Sequence, residues 1–247
     1  MALRDNVSVA VIIPALNEEQ AIGLVLAAIP DWVDTVIVVD NGSTDRTGAV
    51  AKAHGATVVS EPTRGYGAAC LAGLAAVERA SRKPDIVVFL DGDFSDRPGD
   101  MARIVEPIAR GHSDLVIGSR VLGNPEPGSL TPVQRLGNLL AVALIQLFWD
   151  VRYTDLGPFR GIRYSRLEKL GMTDRDFGWT VEMQVKAARA RLSITEVPVA
   201  YRPRVGTSKI SGTLKGSYLA GRKILQVIFA HYIESLRKGA ALPGRTG

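Results

Sequence analysis

The sequence predicts an α/β fold with a mostly parallel central sheet flanked by helices. Two observations carry this. Solid, β-branched apolar runs stand at Val7–Ile13, Thr35–Val39 and Ile86–Leu90, and segments of helical spacing separate them. The second and third of these runs stop at an aspartate, Asp40 and Asp91. Ligands of such sheets sit beyond the carboxyl ends of the strands, so the pattern gathers Pro14–Glu18, Asp40–Asp45 and Asp91–Asp96 at one edge.

The elements follow in order. Val7–Ile13 reads as a buried strand and Glu18–Ile29 as a helix. Thr35–Val39 is a second strand, and Ser43–His54 a helix with Ser43 or Thr44 as its cap. Thr57–Ser60 is a short strand, Gly67–Ala80 an Ala-rich helix and Ile86–Leu90 a strand. Arg97–Arg110 reads as a helix and Leu115–Ile117 as a strand. Past residue 120 the pattern changes. Gly123–Pro132 is a Pro/Gly loop, Val133–Trp149 a long, mostly apolar helix, and Phe159–Arg163 a strand. Trp179–Ala190 is a helix, Leu192–Val199 a strand and Tyr201–Gly212 a basic loop. Thr213–Leu236 is an amphipathic helix, and residues 238–247 read as a flexible tail. Residues 1–237 are expected to form one domain.

The chain has 247 residues, 46% of them hydrophobic, which excludes wholesale disorder. With 30 Lys+Arg against 25 Asp+Glu, its net charge of +5 fits polyanionic ligands or a membrane surface. Cys70 is the sole cysteine, so no internal disulfide forms and a cytoplasmic setting is expected. His54, His112 and His231 lack zinc-ligand spacing. No signal peptide is visible, and no apolar run reaches the ~18 residues that would span a bilayer, so a membrane contact would be peripheral. Aromatics are 6% and are not interleaved with the basic residues, which argues against nucleic acid.

Asp91-Gly92-Asp93 is the sharpest motif. Two carboxylates flank a glycine just past a buried strand. They can present Mg²⁺ or Mn²⁺ to a pyrophosphate, or form an ordinary polar turn. Asp40 is placed to accept hydrogen bonds from a nucleoside, while its neighbours shape the turn. Glu18 and Glu19 either complement a helix dipole or border that pocket. Arg64-Gly65-Tyr66-Gly67 gives G-x-G, but Cys70 stands where a dinucleotide fingerprint needs a third glycine, and no P-loop is present. Arg120, Arg135, Arg160, Arg163, Arg202, Arg204 and Lys209 form a later basic set. Each reads either as a phosphate-binding group or as a solvated surface charge.

Taken together, these segments resemble the inverting glycosyltransferases of the GT-A fold. Four signatures stand in order: Val11-Ile12-Ile13-Pro14-Ala15-Leu16-Asn17-Glu18, Val38-Val39-Asp40-Asn41-Gly42-Ser43-Thr44-Asp45, Arg64-Gly65-Tyr66-Gly67 and Leu90-Asp91-Gly92-Asp93. The second half is similar to the dolichyl-phosphate mannose synthase and polyprenyl-phosphate glycosyltransferase branch. Gly118-Ser119-Arg120, Asp155–Arg160, Gly178–Met183, Glu196-Val197-Pro198 and Gly206–Lys209 carry that likeness. Two departures stand out. Phe94-Ser95-Asp96 replaces the Gln or His that many relatives carry after the D-x-D, so either Asp96 adds a third carboxylate or the metal shell differs. Leu156-Gly157-Pro158 stands before Phe159-Arg160 where the mannose synthases usually read Ser-Gly.

The resemblance implies a donor half at residues 7–120 and an acceptor half at residues 121–237. It implies that Asp91 and Asp93 hold Mg²⁺ or Mn²⁺ on the pyrophosphate of a nucleotide-diphosphate sugar, GDP-mannose or UDP-glucose. Gly92 permits a close approach. Pro14, Ala15, Asn17, Glu18, Asp40 and Gly65 line the nucleotide. Arg120, Arg135, Arg204 and Lys209 position a polyprenyl phosphate, whose ionised oxygen needs no general base. With a hydroxyl acceptor instead, Glu182 and Asp155 are the base candidates. The long helix Val133–Trp149 would shelter the prenyl chain. Thr213–Leu236 rests on the inner membrane face or packs on the core, and a homodimer is left open. A non-catalytic nucleotide-sugar-binding partner is the remaining alternative.

Overall fold

The computed structural model describes residues 7–123, 125–206 and 214–237. Seven strands form one sheet: β1 (Val9–Ala15), β2 (Thr35–Asp40), β3 (Thr57–Ser60), β4 (Ile86–Phe89), β5 (Leu115–Ser119), β6 (Arg160–Arg163) and β7 (Ile194–Pro198). Their spatial order is β3-β2-β1-β4-β6-β5-β7. Only β6 runs antiparallel to its neighbours; the other described pairs are parallel. Ala15 pairs with Asp40, and Asp40 with Ser60, so these strand ends are level.

The helices are α1 (Ile22–Ala27), α2 (Thr47–Ala53), α3 (Tyr66–Arg79), α4 (Met101–Ala109), α5 (Pro132–Trp149), α6 (Tyr164–Leu170), α7 (Trp179–Arg189) and α8 (Leu214–Arg237). Strand side chains alternate between faces, so each apolar run feeds two cores. Ile12, Val39 and Phe89 pack among Cys70, Ile145, Trp179 and Ile228 on one face. Val11, Ile13, Val38 and Val88 pack with Ile22, Val25, Ala51, Ile104 and Ile108 on the other. The Phe89 and Trp179 rings meet edge to face at 5.7 Å.

Several boundaries differ from the expectation, and the first two do so for nonlocal reasons. Helix α1 starts at Ile22, not Glu18, because Asn17 takes a left-handed φ of 55° and the Glu18 amide donates to Thr47 Oγ1 at 2.7 Å. Helix α2 starts at Thr47, and neither Ser43 nor Thr44 caps it. Ser43 Oγ accepts from the Asn17 amide, and the Thr44 amide donates to Asn17 Oδ1. The expected helix Arg97–Arg110 divides into a 3₁₀ turn at Pro98–Asp100 and α4. Helix α6 was not anticipated. Helix α5 starts as a capping box: Thr131 Oγ1 accepts from Gln134, whose side chain accepts from the Thr131 amide. Helix α8 divides its faces between the two alternatives. Val227 and Ile228 are buried, whereas Tyr218, Phe229, Ile233 and Leu236 are exposed. The expected flexible tail, residues 238–247, lies outside the described residues.

Candidate active site

Three turns meet at the carboxyl ends of β1, β2 and β4. Asn17 bridges the first two, and Asn41 ties them to the segment before α3. The Asn41 amide donates to Ala15 O at 2.9 Å, its side chain donates to Glu61 O and Thr63 O, and its Oδ1 accepts from Gly65 N at 2.8 Å. Asn41 was not among the expected site residues, although it stands inside the Asp40-Asn41-Gly42 signature. Asp40 folds back over its own turn, where Oδ1 accepts from the Ser43 amide at 2.9 Å.

Gly65 has a structural job here. Its φ of 148° disfavours any side chain, and a Cβ would lie 2.1 Å from Arg175 O. The first amides of α3 are engaged too: Gly67 N donates to Asp176 O and Ala68 N to Arg175 O. Gly92 lets the D-x-D turn lie against β1, since a Cβ there would meet Pro14 O at 3.3 Å and Ala15 Cβ at 3.4 Å.

The two carboxylates of that turn have unlike surroundings. Asp91 Oδ1 is buried without a hydrogen-bond partner, and the equally buried Tyr66 hydroxyl lies beside it. Burial, and then the neighbouring Asp93 carboxylate, push the Asp91 pKa up to about 7. Asp93 is well partnered. Its Oδ1 accepts from Ser95 N at 2.9 Å and from Ser95 Oγ at 2.5 Å, and its Oδ2 lies 3.3 Å from Arg204 Nη1. An orphaned buried oxygen beside a second carboxylate suits a hard divalent cation. Among the described residues, no three His, Cys, Asp or Glu side chains form a complete ligand set. Asp96, the expected third carboxylate, is buried apart from such a set. Both its oxygens lack hydrogen bonds, and burial with Asp91 and Asp93 raises its pKa against the pull of Arg120.

The basic residues sort themselves by partner. Arg120 clasps Asp155 in a two-point fork, with Nε–Oδ2 and Nη2–Oδ1 both 2.8 Å, and lies over the Tyr201 ring at 5.1 Å. Burial alone would loosen its proton, but Asp155 more than compensates and keeps it charged. Arg204 pairs with both Glu18 and Asp93. Arg160 is fully buried and donates to the carbonyls of Leu156, Gly157 and Thr180, so it braces the fold; burial lowers its pKa to about 10. Arg163 donates to Ile108 O, and Arg202 covers the Phe94 ring at 3.4 Å. Arg135 is exposed on the first turn of α5, with no contact to the D-x-D turn. Lys209 lies outside the described residues.

Neither base candidate is at liberty. Both oxygens of Asp155 are held by Arg120. Glu182 is 2% exposed and accepts from Thr173, Asp174 and Lys186. Burial pushes its pKa up, yet those donors outweigh burial and hold it below the ordinary value. A groove of about 1050 Å³, lined in part by Trp149, Arg189, Arg191, Ile194 and His231, lies at the opposite end of β7.

Residues 10–171 match the family described as Glycosyl transferase family 2. The chain belongs to this family. It is a glycosyltransferase of the GT-A fold. An uncharacterised glycosyltransferase of Mycobacterium tuberculosis is 40% identical over 215 residues, covering 86% of this chain and 94% of the relative. A dolichyl-phosphate hexose transferase of Haloferax volcanii is 32% identical over 224 residues, covering 88% and 92%. Among solved structures, glucosyl-3-phosphoglycerate synthase of M. tuberculosis, in complex with Mn²⁺, UDP and glucosyl-3-phosphoglycerate, superposes with a TM-score of 0.71. It is 27% identical and covers 93% of this chain and 81% of its own. In this glycosyltransferase the four signatures lie on or just after β1, β2, β3 and β4, and the later strands complete one sheet with those four.

Proposed function

We propose that this family 2 enzyme moves a sugar from a nucleotide-diphosphate sugar, GDP-mannose or UDP-glucose, to a polyprenyl phosphate with inversion at the anomeric carbon. One observation carries the choice of acceptor. The second half brings arginine, not a free carboxylate, toward the D-x-D turn, while Asp155 and Glu182 are both engaged. A hydroxyl acceptor would need a base; a phosphate monoester is already ionised. The dolichyl-phosphate hexose transferase relative supports the same choice.

In this reading residues 1–237 act as one catalytic unit. Pro14, Ala15, Asn17, Glu18 and Asp40 border the nucleoside, with Gly65 and Gly92 shaping the approach. Asp91 and Asp93 hold Mn²⁺ or Mg²⁺. Bound there, the ion offsets the charge that develops on the departing nucleoside diphosphate. Arg120, fixed by Asp155, and Arg204 orient the anionic groups, with Lys209 assigned to the same task and Arg135 to the membrane end of the acceptor. The acceptor oxygen attacks the anomeric carbon, the bond to the diphosphate breaks, and no proton needs removal. Val121 and Leu122, directly after Arg120, are about half exposed, as are Val133 and Leu140 of α5, which gives the prenyl chain an apolar flank. No helix among the described residues is long and apolar enough to cross a membrane. In this reading the enzyme meets the lipid peripherally, at the cytoplasmic face.

The test is direct. Purified protein is incubated with Mn²⁺ or Mg²⁺ and labelled GDP-mannose or UDP-glucose, with and without a polyprenyl phosphate, and the lipid phase is extracted. Label in the organic phase, absent with EDTA, is the expected result and names the donor. Sugar transferred only to a water-soluble hydroxyl acceptor would overturn the proposal.

A further inference from the structure

Asp93 already carries a cation, and that cation belongs to the protein. Its Oδ2 lies 3.3 Å from Arg204 Nη1, while Nη2 of the same guanidinium pairs with Glu18. Arg204 therefore stands between the turn after β1 and the turn after β4. The backbone fastens it there. Val205 N donates to Asp93 O at 3.0 Å, Arg202 N donates to Ser95 O at 3.0 Å, and Tyr201 forms an antiparallel bridge with Asp96. Residues 201–205 thus form a strap laid along the D-x-D turn. Asp91 Oδ1, by contrast, has no partner. The Arg204 Nε is buried and likewise unpaired, so the fork retains a free donor.

We propose that Arg204 is an internal counter-ion of the Asp91–Asp93 pair, exchanged only when metal and diphosphate arrive together. This deepens the donor-site reading above and rests on it. A divalent ion entering alone meets a guanidinium held a few ångströms away, and like charges at that distance repel strongly in a partly dry site. A diphosphate changes the balance, because its oxygens offer the planar fork a two-point partner as good as the carboxylates. Arg204 then turns from Asp93 to the diphosphate, while Glu18, itself largely buried, keeps hold of the other arm. Metal and nucleotide consequently assist each other, and by linkage each strengthens the other equally.

The experiment reads binding, not turnover. Free Mn²⁺ is followed by electron paramagnetic resonance during titration of the full chain, with and without UDP or GDP. Wild type is expected to bind Mn²⁺ weakly alone and about tenfold or more tightly with the nucleotide it uses. Arg204→Gln, checked for folding by circular dichroism, should bind Mn²⁺ alone about tenfold more tightly and lose most of that coupling. Arg204→Lys, which keeps the charge, should retain weak binding of the metal alone. Glu18→Gln leaves Arg204 to Asp93 only and should weaken metal-only binding severalfold, a shift of opposite sign. Unchanged or weaker metal-only affinity in a folded Arg204→Gln, or a Glu18→Gln that binds Mn²⁺ more tightly, overturns the inference and leaves the donor site standing. Failure of wild type to bind Mn²⁺ with either nucleotide removes the donor-site reading and this inference together.

Discussion

Asp91 and Asp93 are two residues apart, yet one has an empty buried oxygen and the other is fully partnered. That asymmetry comes from the turn: Gly92 presses the chain against β1, and Ser95 folds back onto Asp93. Asp93→Ala removes one oxygen ligand and leaves Arg204 paired with Glu18. Sugar transfer should fall by at least about a hundredfold with an unchanged circular dichroism spectrum. Retention of a tenth of wild-type activity would remove Asp93 from the metal site. Arg120 makes a different prediction, because its fork is already shaped by Asp155. Arg120→Lys keeps the charge but cannot reproduce two-point geometry. The KM for polyprenyl phosphate should rise about tenfold while affinity for UDP or GDP stays level. An equal loss in both would place Arg120 on the donor. Gly65→Ala tests packing alone. Forcing a Cβ toward Arg175 O should cost about 2–4 kcal/mol in urea denaturation.

Helix α7 depends on a buried anion near its start. Glu182 gathers Thr173, Asp174 and Lys186, and its pKa is held below the ordinary carboxylate value. A group with a lowered folded pKa stabilises the fold fully above its unfolded pKa and loses that contribution as pH falls through the folded one. Glu182→Gln should therefore cost about 2–3 kcal/mol at pH 7. The difference from wild type should shrink as pH drops below about 4. A pH-independent difference would refute the charged role. The same level of organisation shows what could be read in the sequence. The β-branched runs announced β1, β2 and β4 because continuous apolar strands suit a sheet covered on both faces. The aspartates at the ends of β2 and β4 pointed to the candidate site. What stayed hidden was nonlocal. Ser43 and Thr44 look like helix caps until Asn17 claims them from the turn after β1. Helix α6 is too short to show a clear period, with only Tyr164, Leu167 and Leu170 facing inward. The Arg204–Glu18 pair joins residues 186 positions apart, which no local pattern announces.

At the scale of the whole molecule, charge and apolar surface are distributed unevenly. Helix α5 contains no acidic residue, and Leu136, Leu139 and Leu147 are 69%, 64% and 74% exposed along it. Helix α8 packs beside it, the Phe148 and Tyr232 rings stacking at 4.0 Å, and adds exposed Phe229, Ile233 and Leu236. Under the proposed function, that face of a protein of net charge +5 would rest on anionic lipid. The prenyl acceptor proposed for the Arg120 side gives that face a purpose, since Asn138 of the same helix donates to Thr154 O and accepts from Leu156 N, next to Asp155. Leu136→Asp combined with Leu147→Asp should reduce co-sedimentation with anionic phospholipid vesicles on the order of tenfold or more. Because both side chains already face solvent, thermal stability should move little, within about 0.5 kcal/mol. Transfer to a short, water-soluble prenyl phosphate should persist in the same variant, since the arginines and the D-x-D turn are untouched. Vesicle binding equal to wild type would assign the exposed leucines to some contact other than a bilayer. Loss of the water-soluble reaction would instead mean that α5 shapes the acceptor pocket itself.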